Sequence, residues 1–188
     1  MEKQKEKNYI SSLILSDGTL IEMVYDKQAN KTGFIGYNNG NIEHYDEVEF
    51  NGKTYYPFST HNNLINSEVV LFPSDICDYQ EEKELIAEVK QFIHKYLGIS
   101  SFFEEMATFY VLFTWLYDCF NELPYLRALA DYGCGKSRFL RTIGSLCYKP
   151  MFTAGATSVS PIFRIIDMFR GTLVLDEADM RFSDTKSE

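Results

Sequence analysis

Between Tyr9 and Phe72 the chain alternates apolar and polar residues in short runs separated by turn residues. Tyr9–Leu15 and Thr19–Tyr25 flank Ser16-Asp17-Gly18, and Thr32–Tyr37 and Ile42–Phe50 flank Asn38-Asn39-Gly40-Asn41. Asn51-Gly52 leads into Lys53–Phe58, and Val69–Phe72 is a candidate final strand. Period-two runs joined by Asp-Gly and Asn-Gly pairs predict β-hairpins, and several in succession predict a small antiparallel sheet or partial barrel. Nothing in this stretch has catalytic spacing, and His44 and His61 read as lone surface or structural histidines.

After Pro73-Ser74-Asp75 the period changes. Leu85, Ile86, Val89, Phe92, Ile93 and Leu97 recur at helical spacing, with Gly98 as terminator and His94 on the rim. A second helix is predicted from about Ser101 to Phe120, with Ser101 as N-cap and Glu104 completing a capping box. Its middle, Ala107–Leu116, is apolar nearly all round and predicts deep burial, with Trp115 in the core. Pro124 then opens Tyr125–Leu129, predicted as a parallel strand. It is followed by a loop, a helix over Ser137–Cys147, a strand at Met151–Ala154, a helix from Ser160-Pro161 to Phe169 and a strand at Thr172–Leu175. This order is that of the front half of a doubly wound α/β sheet. The divisions expected are a β-rich domain over residues 1–75, a helical segment over 76–122 and an α/β domain over 123–188.

Composition adds limits. The 188 residues are 45% hydrophobic and 15% aromatic, which supplies enough apolar volume for sizeable cores. A net charge of −9 argues against whole-surface attraction to nucleic acid, although a local basic channel is compatible with it. Cys77, Cys119, Cys134 and Cys147 form no Cys-x-x-Cys pair, so they read as free thiols of a reducing cytoplasm and not as zinc ligands. Met106–Tyr117, the most apolar stretch, is shorter than the roughly 20 residues a membrane span needs.

The chemistry lies in two segments. Ala130-Asp131-Tyr132-Gly133-Cys134-Gly135-Lys136-Ser137 fits the phosphate-loop pattern G-x-x-x-x-G-K-[ST] except at its first position, where Ala130 replaces glycine. In such a loop, successive backbone N–H groups and a helix N-terminus converge on one anion. Gly133, Cys134, Gly135, Lys136, Ser137 and Arg138 are the candidate nucleotide-binding residues, with Lys136 on the β/γ-phosphates and Ser137 on Mg2+. Downstream, Thr172-Leu173-Val174-Leu175-Asp176-Glu177 is an apolar run ending in two carboxylates. Asp176 is placed to hold the metal through water, and Glu177 to orient or deprotonate an attacking water. Lys136 and Glu177 are therefore the candidate catalytic pair. A chance Gly-Lys-Ser match is the competing reading, and the acidic pair one βαβ unit downstream counts against it. Arg138 and Arg141 read better as a solvated helix face than as contacts to phosphate or a neighbouring subunit, and Asp179 as a partner contact or a helix cap.

With Gly133-Cys134-Gly135-Lys136-Ser137 and Leu173-Val174-Leu175-Asp176-Glu177-Ala178-Asp179, the chain resembles P-loop ATPases of the additional-strand, catalytic-glutamate class, which contains AAA+ proteins and many helicases. Pro124-Tyr125-Leu126, Gly135 to Leu140, Phe163-Arg164 and Gly171 to Asp179 are similar to ATPase domains of plasmid, phage and integrated-element replication proteins. The resemblance covers about Leu123 to Asp184. It implies the front half of a P-loop NTPase fold, a parallel sheet with flanking helices, preceded by the small antiparallel β domain and a helical linker. It further implies ATP and Mg2+ as cofactors, a homo-oligomeric ring and single-stranded DNA as a partner. ATP hydrolysis in the complete protein would drive DNA unwinding or replication initiation. Its sensor residue and arginine finger are expected beyond Glu188, so the segment is read as binding nucleotide without turning it over alone. Two other functions compete: an ATPase that remodels a protein partner, and a non-hydrolysing nucleotide-binding adaptor.

Overall fold

The computed structural model describes residues 7–131, 133–154 and 159–176. The chain divides into two compact units, Met1–Tyr79 with Asp167–Arg170, and Gln80–Ile166 with Gly171–Glu188.

The first unit is built from hairpins. Its strands are β1 (Asn8–Ile10), β2 (Ser12–Ile14), β3 (Leu20–Asp26), β4 (Lys31–Asn38), β5 (Asn41–Tyr45), β6 (Val48–Phe50) and β7 (Lys53–Pro57), followed by a short helix α1 (Asn63–Asn66). β2-β3-β4-β5 form an antiparallel sheet, and β1-β7-β6 form a mixed one in which β1 runs parallel to β7. The β4–β5 and β6–β7 loops have two residues each, with φ of 49° and 86° at Asn39 and Gly40 and 51° and 71° at Asn51 and Gly52. Positive φ at both positions is what a type I′ hairpin turn demands, and Asn-Gly meets it with little strain. Alternation along β3 and β4 turns Ile21, Met23 and Phe34 to one face, where all three are buried. Gly36 lies on that face because a Cβ there would stand 2.7 Å from the Tyr45 ring. Phe169 is also buried in this unit, with ring centroids 4.9 Å from Phe58 and 5.8 Å from Phe72.

The second unit starts with α2 (Glu82–Tyr96) and α3 (Ser101–Trp115), and continues with α4 (Lys136–Gly144), β8 (Met151–Ala154), α5 (Val159–Phe169) and β9 (Leu173–Asp176). The last turn of α5 is assigned to the first unit. Ile93 and Leu97 from the α2 end, Ala107 and Val111 from α3, and Ile143 and Cys147 from the α4 end form one buried cluster. The helix α3 starts at Ser101 as its sequence suggests but ends at Trp115 and not at Phe120. Ser100 is the N-cap, and no side chain caps it. Glu104 does not close a capping box; it is buried and its Oε1 lies 2.7 Å from Nδ1 of His94 on α2. The helix is also not buried all round: Ala107, Thr108, Val111 and Thr114 face inward, while Phe102, Met106 and Phe109 are exposed. Trp115 is half-exposed and not core; its Nε1 donates to the Leu146 carbonyl at 2.9 Å.

The expected fold class is overturned. Among the described residues the only parallel pairing in the second unit is β8 with β9, and the larger sheets of the chain are antiparallel or mixed. Tyr125–Leu129 forms no strand, and Tyr125 and Leu129 are 94% and 78% exposed. A parallel strand is stabilised by cover on both faces, and this five-residue run has only Leu126 packed against the helical cluster. Among the described residues no large parallel sheet of a P-loop domain is formed. No helix among the described residues is long and apolar enough to cross a membrane.

Two outcomes follow from this packing. A Cβ on Gly171 would stand 2.1 Å from the Lys149 carbonyl oxygen, a backbone atom that cannot rotate away. Gly171→Ala should lower unfolding stability by about 3 kcal/mol, the upper end of overpacking costs, measured by urea denaturation. Burial pushes the Cys147 thiol from 9.0 up to about 11, opposed by a hydrogen bond with Thr114. In native protein at pH 8 the exposed Cys77, Cys119 and Cys134 should react with a thiol reagent, and Cys147 only after denaturation. The unfolded thiol ionises first, so this residue's effect lowers stability as pH rises from about 9 towards 11.

Candidate functional site

The loop that precedes α4 is shaped by two glycines. Gly133 and Gly135 have φ of 80° and 85°, in the left-handed region. A Cβ at either would meet nothing within 4 Å, so conformation and not space is what calls for glycine at both. Between them, the Cys134 N–H donates to the Asp131 carbonyl at 3.3 Å, closing the turn. Gly135 is the N-cap of α4, and its carbonyl accepts from Phe139 N at 2.9 Å.

That helix start is electrostatically bare. No side chain caps it, and its first turn contains no acidic residue. The first N–H groups of a helix have no intrahelical acceptor, and its aligned peptide dipoles place about half a positive charge there. Lys136 adds a full charge at the same point. Its Nζ donates to the Ala130 carbonyl at 2.6 Å and to the Asp131 carbonyl at 3.2 Å. The ammonium thus closes the loop on itself, bonded among the described residues to neutral carbonyls. Ser137, Arg138 and Cys134 are exposed around this point. Ala130 takes part through its carbonyl, a role that needs no glycine.

Asp176 stands at the carboxyl end of β9. β8 and β9 pair in parallel register, with Phe152 opposite Val174 and Ala154 opposite Asp176. A Cβ on Gly144 of α4 would stand 2.9 Å from Val174 and 3.1 Å from Phe152, so this face of the two strands is the one that carries α4. Asp176 shares it with Val174 by alternation. There it lines a cavity of about 230 Å3 with Leu140, Arg141, Phe152, Thr153, Ala154 and Val174.

The structure therefore brings Gly133, Cys134, Gly135, Lys136, Ser137 and Arg138 together at one helix end, and places Asp176 against the following turn of α4. The cavity holding Asp176 contains Leu140 and Arg141, and not Lys136 or Ser137. Ser137 and Arg141 are four positions apart and so share one face of the helix. That spacing is the signal by which Arg141, read from sequence as solvated, could have been placed beside the acid. Glu177, Asp179 and Tyr132 lie outside the described residues.

For a metal, the described residues contain no group of three His, Cys, Asp or Glu side chains that could hold an ion unaided. The oxygen donors expected for a metal, the Ser137 hydroxyl and the Asp176 carboxylate, stand at the start of α4 and at the end of β9. They suit Mg2+, which keeps several waters and takes further ligands from phosphate.

No family model, no curated protein and no solved structure matches this chain.

Proposed function

We propose that the chain binds the triphosphate of ATP on the loop from Asp131 to Ser137, with Mg2+ between the phosphates, Ser137 and Asp176. The observation that carries this reading is the positively charged start of α4: two left-handed glycines, no acidic residue in the first turn and a lysine whose bonds among the described residues are to carbonyls. An anion offers Lys136 a charge-assisted bond in place of two neutral ones, and accepts from the first helical N–H groups at the same time.

In this account each residue has a part. Gly133 and Gly135 set the curl of the backbone. Lys136 leaves the Ala130 and Asp131 carbonyls for the phosphate oxygens. Ser137 and Asp176 hold the hydrated metal, and Arg138 stands beside the bound anion. Mg2+ supplies charge neutralisation of the phosphate oxygens when bound. Glu177 is assigned to orienting the attacking water for ATP hydrolysis. Coupling of that hydrolysis to DNA unwinding or replication initiation, by a ring of subunits on single-stranded DNA, rests on the resemblance of the two motifs.

Titration of a fluorescent ATP analogue with Mg2+ present tests the site. Lys136→Ala should weaken binding by at least about tenfold, equivalent to roughly 1.4 kcal/mol, while leaving the unfolding midpoint without nucleotide within a degree or two. Gly135→Ala should weaken it as well, because the left-handed φ is then strained. Unchanged affinity in both variants would remove the assignment.

A further inference from the structure

The cavity beside α4 holds two opposite charges, and the triphosphate reading uses only one of them. Arg141 and Asp176 both line this space of about 230 Å3, whose other walls include Leu140, Phe152 and Val174. Among the described residues neither side chain has an ion-pair partner. The guanidinium therefore acts on the carboxylate through the field across the cavity and not through a bond. Apolar walls strengthen that field, because they exclude solvent that would screen it. The rest of α4 acts in the same sense. Its nine residues include Lys136, Arg138 and Arg141, and no acid. A divalent cation that approaches Asp176 alone meets these charges with no anion to offset them.

From this arrangement we infer that Arg141 screens Asp176 from metal ions in the nucleotide-free protein, so that Mg2+ enters only together with phosphates. The second half of this inference rests on the nucleotide reading above; the first half rests on the cavity alone. One carboxylate and one hydroxyl are a poor ligand set for Mg2+, which gives up its waters reluctantly. A positive charge across the same cavity weakens that set further. Polyphosphate reverses the balance. Its oxygens supply the metal with more ligands, and its negative charge offsets Lys136, Arg138 and Arg141. Metal and nucleotide affinities are then linked, each raising the other by the same factor. Arg141 acts here through Asp176 and not on the reacting atoms, so it is a positioning residue. Its charge is what matters, and its exposed place on the helix makes it replaceable without repacking a core.

The test titrates the full chain with Mn2+ alone, read by loss of the free ion's electron paramagnetic resonance signal. Arg141→Gln should bind Mn2+ at least about fivefold more tightly than wild type, because one opposing charge is gone. Arg141→Lys, which keeps the charge, should stay within about twofold of wild type. The gain should vanish when Asp176→Asn is added to Arg141→Gln, which places the ion at that carboxylate and not elsewhere on an acidic surface. Arg141→Met is a second neutral variant should Arg141→Gln disturb folding. Inorganic tripolyphosphate should then raise Mn2+ affinity by a larger factor in wild type than in Arg141→Gln. Equal Mn2+ affinity in wild type and both neutral variants overturns the inference, as does a gain that survives Asp176→Asn. Weaker ATP binding in Arg141→Gln with unchanged Mn2+ affinity overturns it in favour of a direct phosphate contact. The first comparison contains no nucleotide, so its failure is distinct from failure of the ATP site, which Lys136→Ala reads.

Discussion

The arrangement at the start of α4 depends on backbone conformation at two positions. Gly133 and Gly135 both hold a left-handed φ, and the turn between them delivers the chain into a helix whose start no side chain caps. A residue with a side chain pays steric strain for that φ, although there is room for a Cβ at either place. The other residues of the loop are positioned by this turn. Lys136 can reach back to Ala130 and Asp131 only because the loop curls within reach of its side chain. Ser137 and Arg138 are exposed on the first turn for the same reason.

Packing behind the loop fixes the helix that bears it. Ile143 and Cys147 anchor the far end of α4 in the cluster made with Ile93, Leu97, Ala107 and Val111. Gly144 lets the helix approach Val174 and Phe152 closely, which holds α4 against the strands that end in Ala154 and Asp176. The charged end of the helix is thereby left in solvent while its apolar end is buried. The acid at the end of β9 then lies one turn along the helix from the lysine and serine, facing Arg141. On the proposed reading, the metal and the phosphates bridge that turn.

Local rules made part of this structure legible in the sequence. The Asn39-Gly40 and Asn51-Gly52 turns are fixed by the φ values a two-residue hairpin requires, so their hairpins could be read directly. Leu85 to Leu97 and Met151–Ala154 were likewise marked by period and length. Tertiary choices were not legible. Nothing in Tyr125–Leu129 by itself distinguishes a covered parallel strand from an exposed connection, and without neighbours on both faces it is the latter. Ser101 and Glu104 satisfy a capping-box spacing, yet Glu104 bonds His94 of another helix, a contact that local sequence does not encode. The nearly continuous apolar run of α3 concealed that only the Ala107–Val111–Thr114 side would find a partner. At the site, the loop residues were found by motif because they are contiguous, whereas Arg141 beside Asp176 depends on how α4 lies on the strands.

The central claim is that the N–H groups from Gly133 to Arg138 receive a polyphosphate. The most direct measurement is an amide-resolved NMR titration of the chain with inorganic tripolyphosphate and then with Mg-ATP. The account predicts saturating shifts that are largest at Gly135, Lys136 and Ser137 with both ligands, and an added shift at Asp176 when the metal is present. Saturable shifts centred elsewhere, or none in the loop at millimolar ligand, would contradict it.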